Sequence, residues 1–299
     1  MSARTRSVDR MHAWYPEPLP LWDDDLWVDE SRGNEDRVGT STVDRSSVDK
    51  SSAAMIRVVE DTASAAPATP ALPTWAHSIG VFDLETTGVD VTADRVVTAH
   101  VGVLDHTGAV VRSRAWLADP GVPIPEGATA VHGITTARAR AEGRPVRDVV
   151  AEVVGELRAL FAAGIPVVAY NAPYDFSLLK HEAVRHGVAP IADPSPVIDP
   201  LVLDKAFDRY RKGKRTLEVV AAHYRVVLEG AHDAAADAIA AGRVAQALAG
   251  RFALPAAVEE LHTQQIAWAR SQAESLTEYF IRVGRLDPAD ALDGSWPIR

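Results

Sequence analysis

The stretch from Ser78 to Val89 constrains the fold of this 299-residue chain more than any other. It reads SIGVFDLETTGV, in which the apolar run Ile79 to Phe82 leads into Asp83, Leu84 and Glu85. The run predicts a buried strand, and the Thr-Thr-Gly that follows predicts its end. Because side chains alternate between the two faces of a strand, Asp83 and Glu85 share a face, with Cα atoms about 7 Å apart, while Leu84 points to the other face.

Two carboxylates side by side at the end of a strand repel each other unless something neutralises them. A divalent cation is the usual neutraliser, and Mg²⁺ and Mn²⁺ prefer oxygen ligands. An acidic strand end that faces water explains a bare D-x-E pair at least as well. The rest of the chain therefore has to decide between a metal site and a solvated strand end.

Composition and charge limit the classes of protein to consider. The net charge of −10 argues against a protein that coats nucleic acid, although an enzyme with a local basic patch remains compatible with it. The absence of cysteine excludes disulfides, zinc-thiolate sites and a cysteine nucleophile. No apolar run approaches the roughly 20 residues of a membrane span, and no secretory signal is recognisable. We expect a cytoplasmic protein, and abundant Ala, Val and Arg with little Lys indicates a bacterial source.

The domain organisation follows from shifts in composition. Residues 1–74 are rich in Ser, Asp, Arg, Thr and Pro, which predicts a disordered N-terminal extension and linker. Within it, the aromatic and acidic segment Trp14 to Trp27 is either a docking motif for a protein partner or a segment that packs on the chain's own domain. We expect a folded domain over 75–252, and a helix with an irregular tail over 253–299.

The periodicity of the folded domain predicts an antiparallel meander followed by alternating strands and helices. Residues 95–104 and 109–117 are β-rich and flank a tight Asp-His-Thr-Gly turn, so they predict a hairpin. Short strands are expected at 166–170 and 197–198. Helices are expected from 135 or 136 and over 146–162, 174–186, 200–210, 216–223, 232–250 and 255–282. The pattern predicts an α/β fold with a mixed sheet flanked by helices.

Two further stretches carry candidate functional residues. Asp175 lies in the first turn of a helix just after a strand, where sites gather in α/β sheets, although an acid there also complements the helix dipole. His232 and Asp237 are five residues apart among alanines, which places His232 at or just before a helix start and Asp237 one turn into it. A lone histidine near a helix start is more often structural than functional.

Taken together, the segments FDLETTG, NAPYD and HDAAADA resemble the three motifs of the DEDDh 3′→5′ exonucleases, the DnaQ-like enzymes with a ribonuclease H-like fold. The resemblance covers about residues 76–250. The related DEDDy branch carries Tyr four residues before the last Asp; here that position is Asp233, and His232 precedes it. The resemblance implies His232 as general base, and four catalytic acids as ligands of two Mg²⁺ or Mn²⁺ ions: Asp83, Glu85, Asp175 and Asp237.

The resemblance also implies the reaction. A DEDDh exonuclease domain over 75–252 would hydrolyse the terminal phosphodiester of DNA in repair, end trimming or proofreading, releasing nucleoside 5′-monophosphates. Its partner would be single-stranded or 3′-end nucleic acid. The same chemistry on RNA is the alternative, because nothing in the sequence shows a reader of the 2′-hydroxyl. An alternative of another class is a nucleic-acid-binding scaffold that acts through the N-terminal aromatic segment.

Several residues near the motifs are candidates for substrate contact. Backbone N–H groups around Thr86, Thr87 and Gly88 could meet the terminal nucleotide. Side chains proposed for stacking or polar contact are His132, Asn171 and Phe176, although core packing explains Phe176 at least as well. The run Arg209 to Arg215, RYRKGKR, holds five Lys and Arg and either contacts the substrate backbone or is a solvated loop.

Overall fold

In the computed structural model, which describes residues 72–299, a six-stranded mixed sheet has the order β4-β3-β2-β1-β5-β6. The sheet places β1 at its centre, between an antiparallel and a parallel neighbour. This confirms the predicted mixed sheet flanked by helices. The aromatic segment Trp14 to Trp27 and nearly all of the predicted N-terminal extension lie outside the described residues.

The antiparallel half of the sheet is the predicted meander. It consists of β1 (Ser78–Thr86), β2 (Val96–Asp105) and β3 (Val110–Asp119). The turn between β2 and β3 is held by Asp105, whose Oδ1 accepts bonds from the N–H groups of Thr107 and Ala109 at 2.8 and 3.1 Å. This local bonding is why an Asp-x-Thr-Gly turn predicts a hairpin.

The other strands are only two residues long. β5 (Val167–Val168) pairs parallel with β1, and β6 (Val197–Ile198) pairs parallel with β5. β4 (Arg144–Pro145) pairs parallel with the end of β3 and was not predicted, since two residues that include a proline show no strand period. All three short strands are identified only by their pairing with neighbouring strands of the sheet.

Eight α-helices pack around this sheet within the described part of the chain. Seven of them match predicted helices to within a few residues. The first helix, which is seven residues long, was not predicted. Their bounds are α1 Glu126–His132, α2 Thr136–Glu142, α3 Val146–Ala162, α4 Ala172–Arg185, α5 Pro200–Phe207, α6 Leu217–His223, α7 Ala234–Arg251 and α8 Val258–Arg282.

The alternation of β1 side chains divides the core into two layers. Phe82 and Leu84 pack with α3 and α4, whereas Ile79 and Val81 pack with α5, α6 and α7. Helix α7 lies very close to the sheet, because a Cβ built on Gly242 would be 2.5 Å from Val81 Cγ1. This close approach sets how near the first turn of α7 lies to the end of β1.

The C-terminal segment covers the edge of the sheet near β6. In α8, Gln265 accepts a 2.7 Å hydrogen bond from the backbone N–H of Asp199, at the end of β6. The tail after α8 has no helix or strand, as expected, yet Trp296 is only 6% exposed and packs in the core with α3 and α4. Among residues 72–299, no helix is long and apolar enough to cross a membrane.

Candidate active site

Three carboxylates from distant parts of the chain converge at the end of β1. One oxygen each from Asp83, Glu85 and Asp237 lies within 4.8 Å of the other two. Strand alternation puts Asp83 and Glu85 on one face, and the close packing of α7 brings Asp237, in its first turn, to the same place. The structure thus brings together the first and third motifs, which the sequence separates by about 150 residues.

Asp175 joins the cluster from the second motif. It lies in the first turn of α4, is 3% exposed, and its Oδ1 accepts a 3.1 Å hydrogen bond from the backbone N–H of Leu84. That N–H belongs to the residue between Asp83 and Glu85, so the bond fixes α4 directly against the carboxylate-bearing end of β1. A helix N-terminus also favours negative charge in its first turn.

The electrostatics of the cluster are unfavourable without a counter-ion. Burial, followed by the charges of Asp175, Glu85 and Asp237, raises the pKa of Asp83 well above its usual range. Burial and the charge of Asp237 raise the pKa of Glu85 to about 8. Burial is also the main cause that raises the pKa of Asp175 and of Asp237.

The donor set fits a hard divalent cation. All the converging ligand atoms are carboxylate oxygens, which Mg²⁺ and Mn²⁺ prefer. Asp237 supports this directly, because its Oδ1 is buried and has no hydrogen-bond partner among the described residues, while its Oδ2 accepts the N–H of His232. A cation shared by these carboxylates would offset their mutual repulsion.

His232 stands at the edge of the cluster, two residues before α7, as predicted from the sequence. Its backbone is left-handed, with φ 66°, and its N–H donates to Asp237 Oδ2 at 3.1 Å. The side chain is 52% exposed, and Nε2 lies 3.8 Å from Glu218 Oε1 of α6. Asp233 caps α7 by accepting bonds from the N–H groups of Ala235 and Ala236.

The Thr-Thr-Gly segment after β1 is largely occupied by bonds within the fold. The Thr86 hydroxyl bonds the Gly88 carbonyl at 2.6 Å and the Tyr174 hydroxyl at 2.5 Å. The N–H of Thr87 donates to Arg95, and its hydroxyl donates to Asp94. The N–H of Thr87 is therefore already used within the fold, and contact of the backbone N–H groups around Thr86, Thr87 and Gly88 with the terminal nucleotide stays a prediction.

His132 and Asn171 are placed where they can contact a ligand. His132 ends α1; its Nδ1 accepts the N–H of Ile134, while its buried Nε2 has no hydrogen-bond partner among the described residues. Burial lowers the pKa of His132. Asn171 directly precedes α4, is exposed, and makes no side-chain capping bond. Substrate contact by either residue stays a prediction.

Phe176 is placed differently. Its side chain is 2% exposed, and its ring centroid lies 5.3 Å from that of Phe82 in the core. A ring in this position cannot stack on a nucleotide, so the predicted substrate contact of Phe176 is corrected to core packing. Tyr174, two residues earlier, reaches the site instead, because its hydroxyl bonds both the Thr86 hydroxyl and the Gly88 carbonyl at the end of β1.

Asp199 is a supporting residue that the sequence reasoning missed. It is 1% exposed, and its carboxylate accepts the N–H groups of Asn171 and Ala172, both at 3.0 Å. The tail residue Trp296 adds its Nε1–H at 3.4 Å. These bonds hold the turn from which α4 starts and hence Asp175. The sequence signal that could have identified Asp199 is an Asp followed by Pro200 at a helix start, which is a helix-capping pattern.

Comparisons with known proteins agree with this geometry. The RNase_T family model, described as an exonuclease, matches residues 81–245. DNA polymerase III PolC-type of Lacticaseibacillus paracasei is 34% identical over 169 residues, 56% of this chain and 11% of that protein. The DNA polymerase III subunit epsilon-like protein of Rhodobacter capsulatus is 35% identical over 125 residues, 41% of this chain and 16% of that protein. The chain thus spans only a small part of these relatives' length.

A solved structure of exonuclease I has a TM-score of 0.52 and 19% identity, covering 69% of this chain and 45% of that chain. The likeness shows a shared fold. The family match covers more than half of the chain and includes the carboxylates that converge at the end of β1. The chain therefore belongs to the RNase_T exonuclease family, with the ribonuclease H-like fold.

Proposed function

We propose that this chain is a metal-dependent 3′→5′ exonuclease that hydrolyses the terminal phosphodiester of DNA and releases nucleoside 5′-monophosphates. The observation that carries the proposal is the convergence of Asp83, Glu85 and Asp237 oxygens within 4.8 Å, with Asp175 and His232 beside them. Membership of an exonuclease family supports the reaction class. The matches to DNA polymerase III proteins favour DNA over RNA.

The acidic residues would hold two divalent cations, Mg²⁺ or Mn²⁺. When bound, such ions stabilise the attacking and leaving oxygens of a phosphodiester. Asp83 would contribute to both cation sites, because its carboxylate interacts electrostatically with the Glu85–Asp237 pair and also with Asp175. Glu85 and Asp237 would join Asp83 in holding one ion, and Asp175, which lies against the Leu84 N–H, would join Asp83 in holding the other.

His232 would take the proton of the attacking water. Its ring is half exposed at the rim of the cluster, where it can both face a water and pass a proton to solvent. Asn171 and His132 lie at the same end of the sheet and would contact the terminal nucleotide.

The direct test is degradation of matched 5′-labelled DNA and RNA single strands with Mg²⁺, with Mn²⁺ and with EDTA. A ladder that shortens from the 3′ end, requires metal and disappears in Asp83→Ala is the expected result. Faster loss of the RNA strand would replace DNA by RNA as the substrate class. Binding without cleavage of either strand would favour the nucleic-acid-binding scaffold instead.

The remaining expectations stay predictions. A protein partner for the segment Trp14 to Trp27 lies outside the described residues, and truncation of residues 1–74 with a pull-down comparison would test it. The relatives named above come from bacteria, which supports a bacterial source. A cytoplasmic location is likewise a proposal from the sequence.

A further inference from the structure

We propose that the loop 208–216, hereafter the basic loop, is a contact surface for the substrate strand, through phosphate contacts of Lys212 and Lys214 and stacking by Tyr210. The inference rests on the proposed function and deepens it, since it names where the strand leaves the site. The five cations of this loop looked equivalent in the sequence. The structure separates them into two groups with different roles.

Two of the cations anchor the loop. Arg211 Nη2 lies 2.7 Å from Asp204 Oδ2, and the Arg215 guanidinium bonds the same carboxylate and the Asp204 carbonyl. Arg215 is 6% exposed and also donates to the carbonyl of Asp208. Because Asp204 is fully buried in α5, these bonds fix the loop to the domain. Arg211 and Arg215 are therefore committed to the fold and not free for a ligand.

The other three cations point outward. Arg209, Lys212 and Lys214 are exposed, and within residues 72–299 neither Lys212 nor Lys214 has an acidic partner within 4.0 Å. Tyr210 is 86% exposed, and the Arg209 guanidinium carbon lies 5.9 Å from its ring centroid. A single strand offers two kinds of contact, with its bases and with its phosphates. The exposed Tyr210 ring and the unpaired lysines, on a loop anchored by the buried Asp204, match these two contacts.

The basic loop borders the candidate active site at its C-terminal end. The Tyr170 hydroxyl donates to the Arg215 carbonyl at 2.5 Å, and Tyr170 directly precedes Asn171 at the start of α4. On the other side, Glu218 in the first turn of α6 lies 3.8 Å from His232. The C-terminal end of the loop is therefore bonded to the residue before Asn171 and leads into the helix whose first turn approaches His232, so a strand with its 3′ end in the site would continue over the loop.

Charge explains why such a surface is needed. The whole chain has a net charge of −10, and the active site itself is a cluster of carboxylates, so a polyanion approaching it is repelled. Bound cations neutralise the site but not the path that leads to it. Exposed lysines beside the site supply the attraction to phosphates without reading the sequence of the strand.

The test compares two variants with the same loss of charge. Lys212→Gln with Lys214→Gln removes the free cations of the loop. Arg112→Gln with Arg158→Gln removes two exposed cations from β3 and α3, on the other side of the sheet from α7. Affinity for a fluorescent single-stranded DNA, protected by phosphorothioate linkages at its 3′ end, is measured by anisotropy at several salt concentrations.

Each phosphate contact on a single strand contributes about −0.7 to the slope of log K against log salt. The loop variant should therefore have a slope shallower by about 1.4, while the β3 and α3 variant keeps the wild-type slope. Tyr210→Ala should weaken binding about 10-fold or more with the slope unchanged, and Tyr210→Phe should bind like wild type, because stacking needs only the ring.

The outcomes separate this inference from the proposed function. If the wild-type protein degrades DNA from its 3′ end but the loop variant keeps the wild-type slope and affinity, the basic loop is not part of the strand interface and the exonuclease proposal stands. If the wild-type protein neither binds nor degrades the strand, both proposals fail. An equal change in both double variants also overturns the inference, since it would reflect net charge alone.

Discussion

The two halves of the candidate site are held in place by different means. In the first half, β1 and α4 present Asp83 and Asp175, and the Leu84 N–H joins the two elements with a 3.1 Å bond to a carboxylate that is 3% exposed. In the second half, the start of α7 presents His232 and Asp237, held mainly by a local turn, with the His232 side chain 52% exposed.

This difference suggests that cation binding and proton acceptance are divided between the two halves. The buried half has its geometry fixed by the sheet and by supporting bonds from Asp199, so it can define where cations bind. The exposed half keeps an imidazole in contact with solvent, to which it can pass a proton that it has accepted. Buried carboxylates need neutralisation by an ion, whereas an exposed histidine exchanges protons with water directly. The following predictions test this division.

The largest effect is expected for Asp83→Asn. Loss of the carboxylate proposed to hold both cations should lower activity by about 10³-fold or more, since bound metals supply several kcal/mol of transition-state stabilisation. The same change should raise the unfolding temperature of the metal-free protein at pH 8, because the pKa of Asp83 is raised by burial and by its acidic neighbours. Activity assays and thermal unfolding in EDTA measure the two effects.

The control for that variant is Asp105→Asn. Asp105 is a partly exposed residue at the end of β2, and hydrogen bonds from the hydroxyl and N–H of Thr107 lower its pKa. Its replacement should leave activity unchanged and should not stabilise the metal-free protein. Destabilisation of the metal-free protein by Asp83→Asn would show that the carboxylate is not strained in the absence of metal.

The second effect belongs to the exposed half. His232→Gln should lower kcat by about 10²-fold, the lower end of general-base contributions, because the glutamine amide cannot accept the proton of the attacking water. Steady-state rates at saturating Mg²⁺ provide the measurement. A variant that keeps the wild-type kcat would remove His232 from the role of base.

A smaller effect is expected for Trp296, which supports the buried half of the site through Asp199. Trp296→Phe removes the Nε1–H bond to Asp199, which holds the turn that starts α4. Affinity for Mn²⁺ should fall by up to about 10-fold, the lower range for groups that position metal ligands. Direct titration calorimetry with Mn²⁺, without substrate, separates this effect from turnover.

Trp75→Phe is the matched control for Trp296→Phe. Trp75 is also 6% exposed, and its Nε1–H donates to the Pro255 carbonyl at 3.0 Å, but it precedes the opposite end of β1. Both variants should lower the unfolding temperature, and only Trp296→Phe should weaken Mn²⁺ binding. Equal Mn²⁺ affinities for the two variants would assign Trp296 to general core packing.

The last prediction concerns the pH dependence of stability without metal. The pKa of Glu85 is raised to about 8 in the folded protein by burial and by Asp237, from a reference of 4.5. The folded state therefore holds this proton more tightly, and the stability it contributes is lost as pH rises from about 4.5 through 8. Glu85→Gln should reduce this decline in thermal unfolding measured in EDTA. A decline as steep as that of the wild type would point to the other carboxylates.

Most of the folded scaffold could be read from periodicity. The meander of β1 to β3 and the helices α3, α4 and α8 have long, regular patterns, and the structure has them within a few residues of the predicted bounds. The predicted helix start at Thr135 or Thr136 agrees with α2, whose N-cap Thr135 accepts a bond from the Arg138 N–H. The two-residue β4 and the seven-residue α1 were missed, because so few residues carry no measurable period.

The supporting residues of the site were harder to predict than its acids. Asp199 acts on the turn at Asn171, 28 residues earlier, and Trp296 acts on Asp199 from the tail, 97 residues later. No local pattern links such positions. The five cations of the basic loop likewise looked alike, and only the buried carboxylate of Asp204 distinguished the anchors from the free lysines.

The sequence by itself determined that Asp83 and Glu85 share one face of a buried strand and that His232 and Asp237 flank the start of a helix. Strand alternation and helix capping are local, so neighbouring residues encode them. Only the tertiary structure decided that Asp175 bonds Leu84 across 91 residues, that Phe176 faces the core, and that Trp296 supports α4. Such contacts depend on how whole elements pack, which is a property of the complete core and of no single segment.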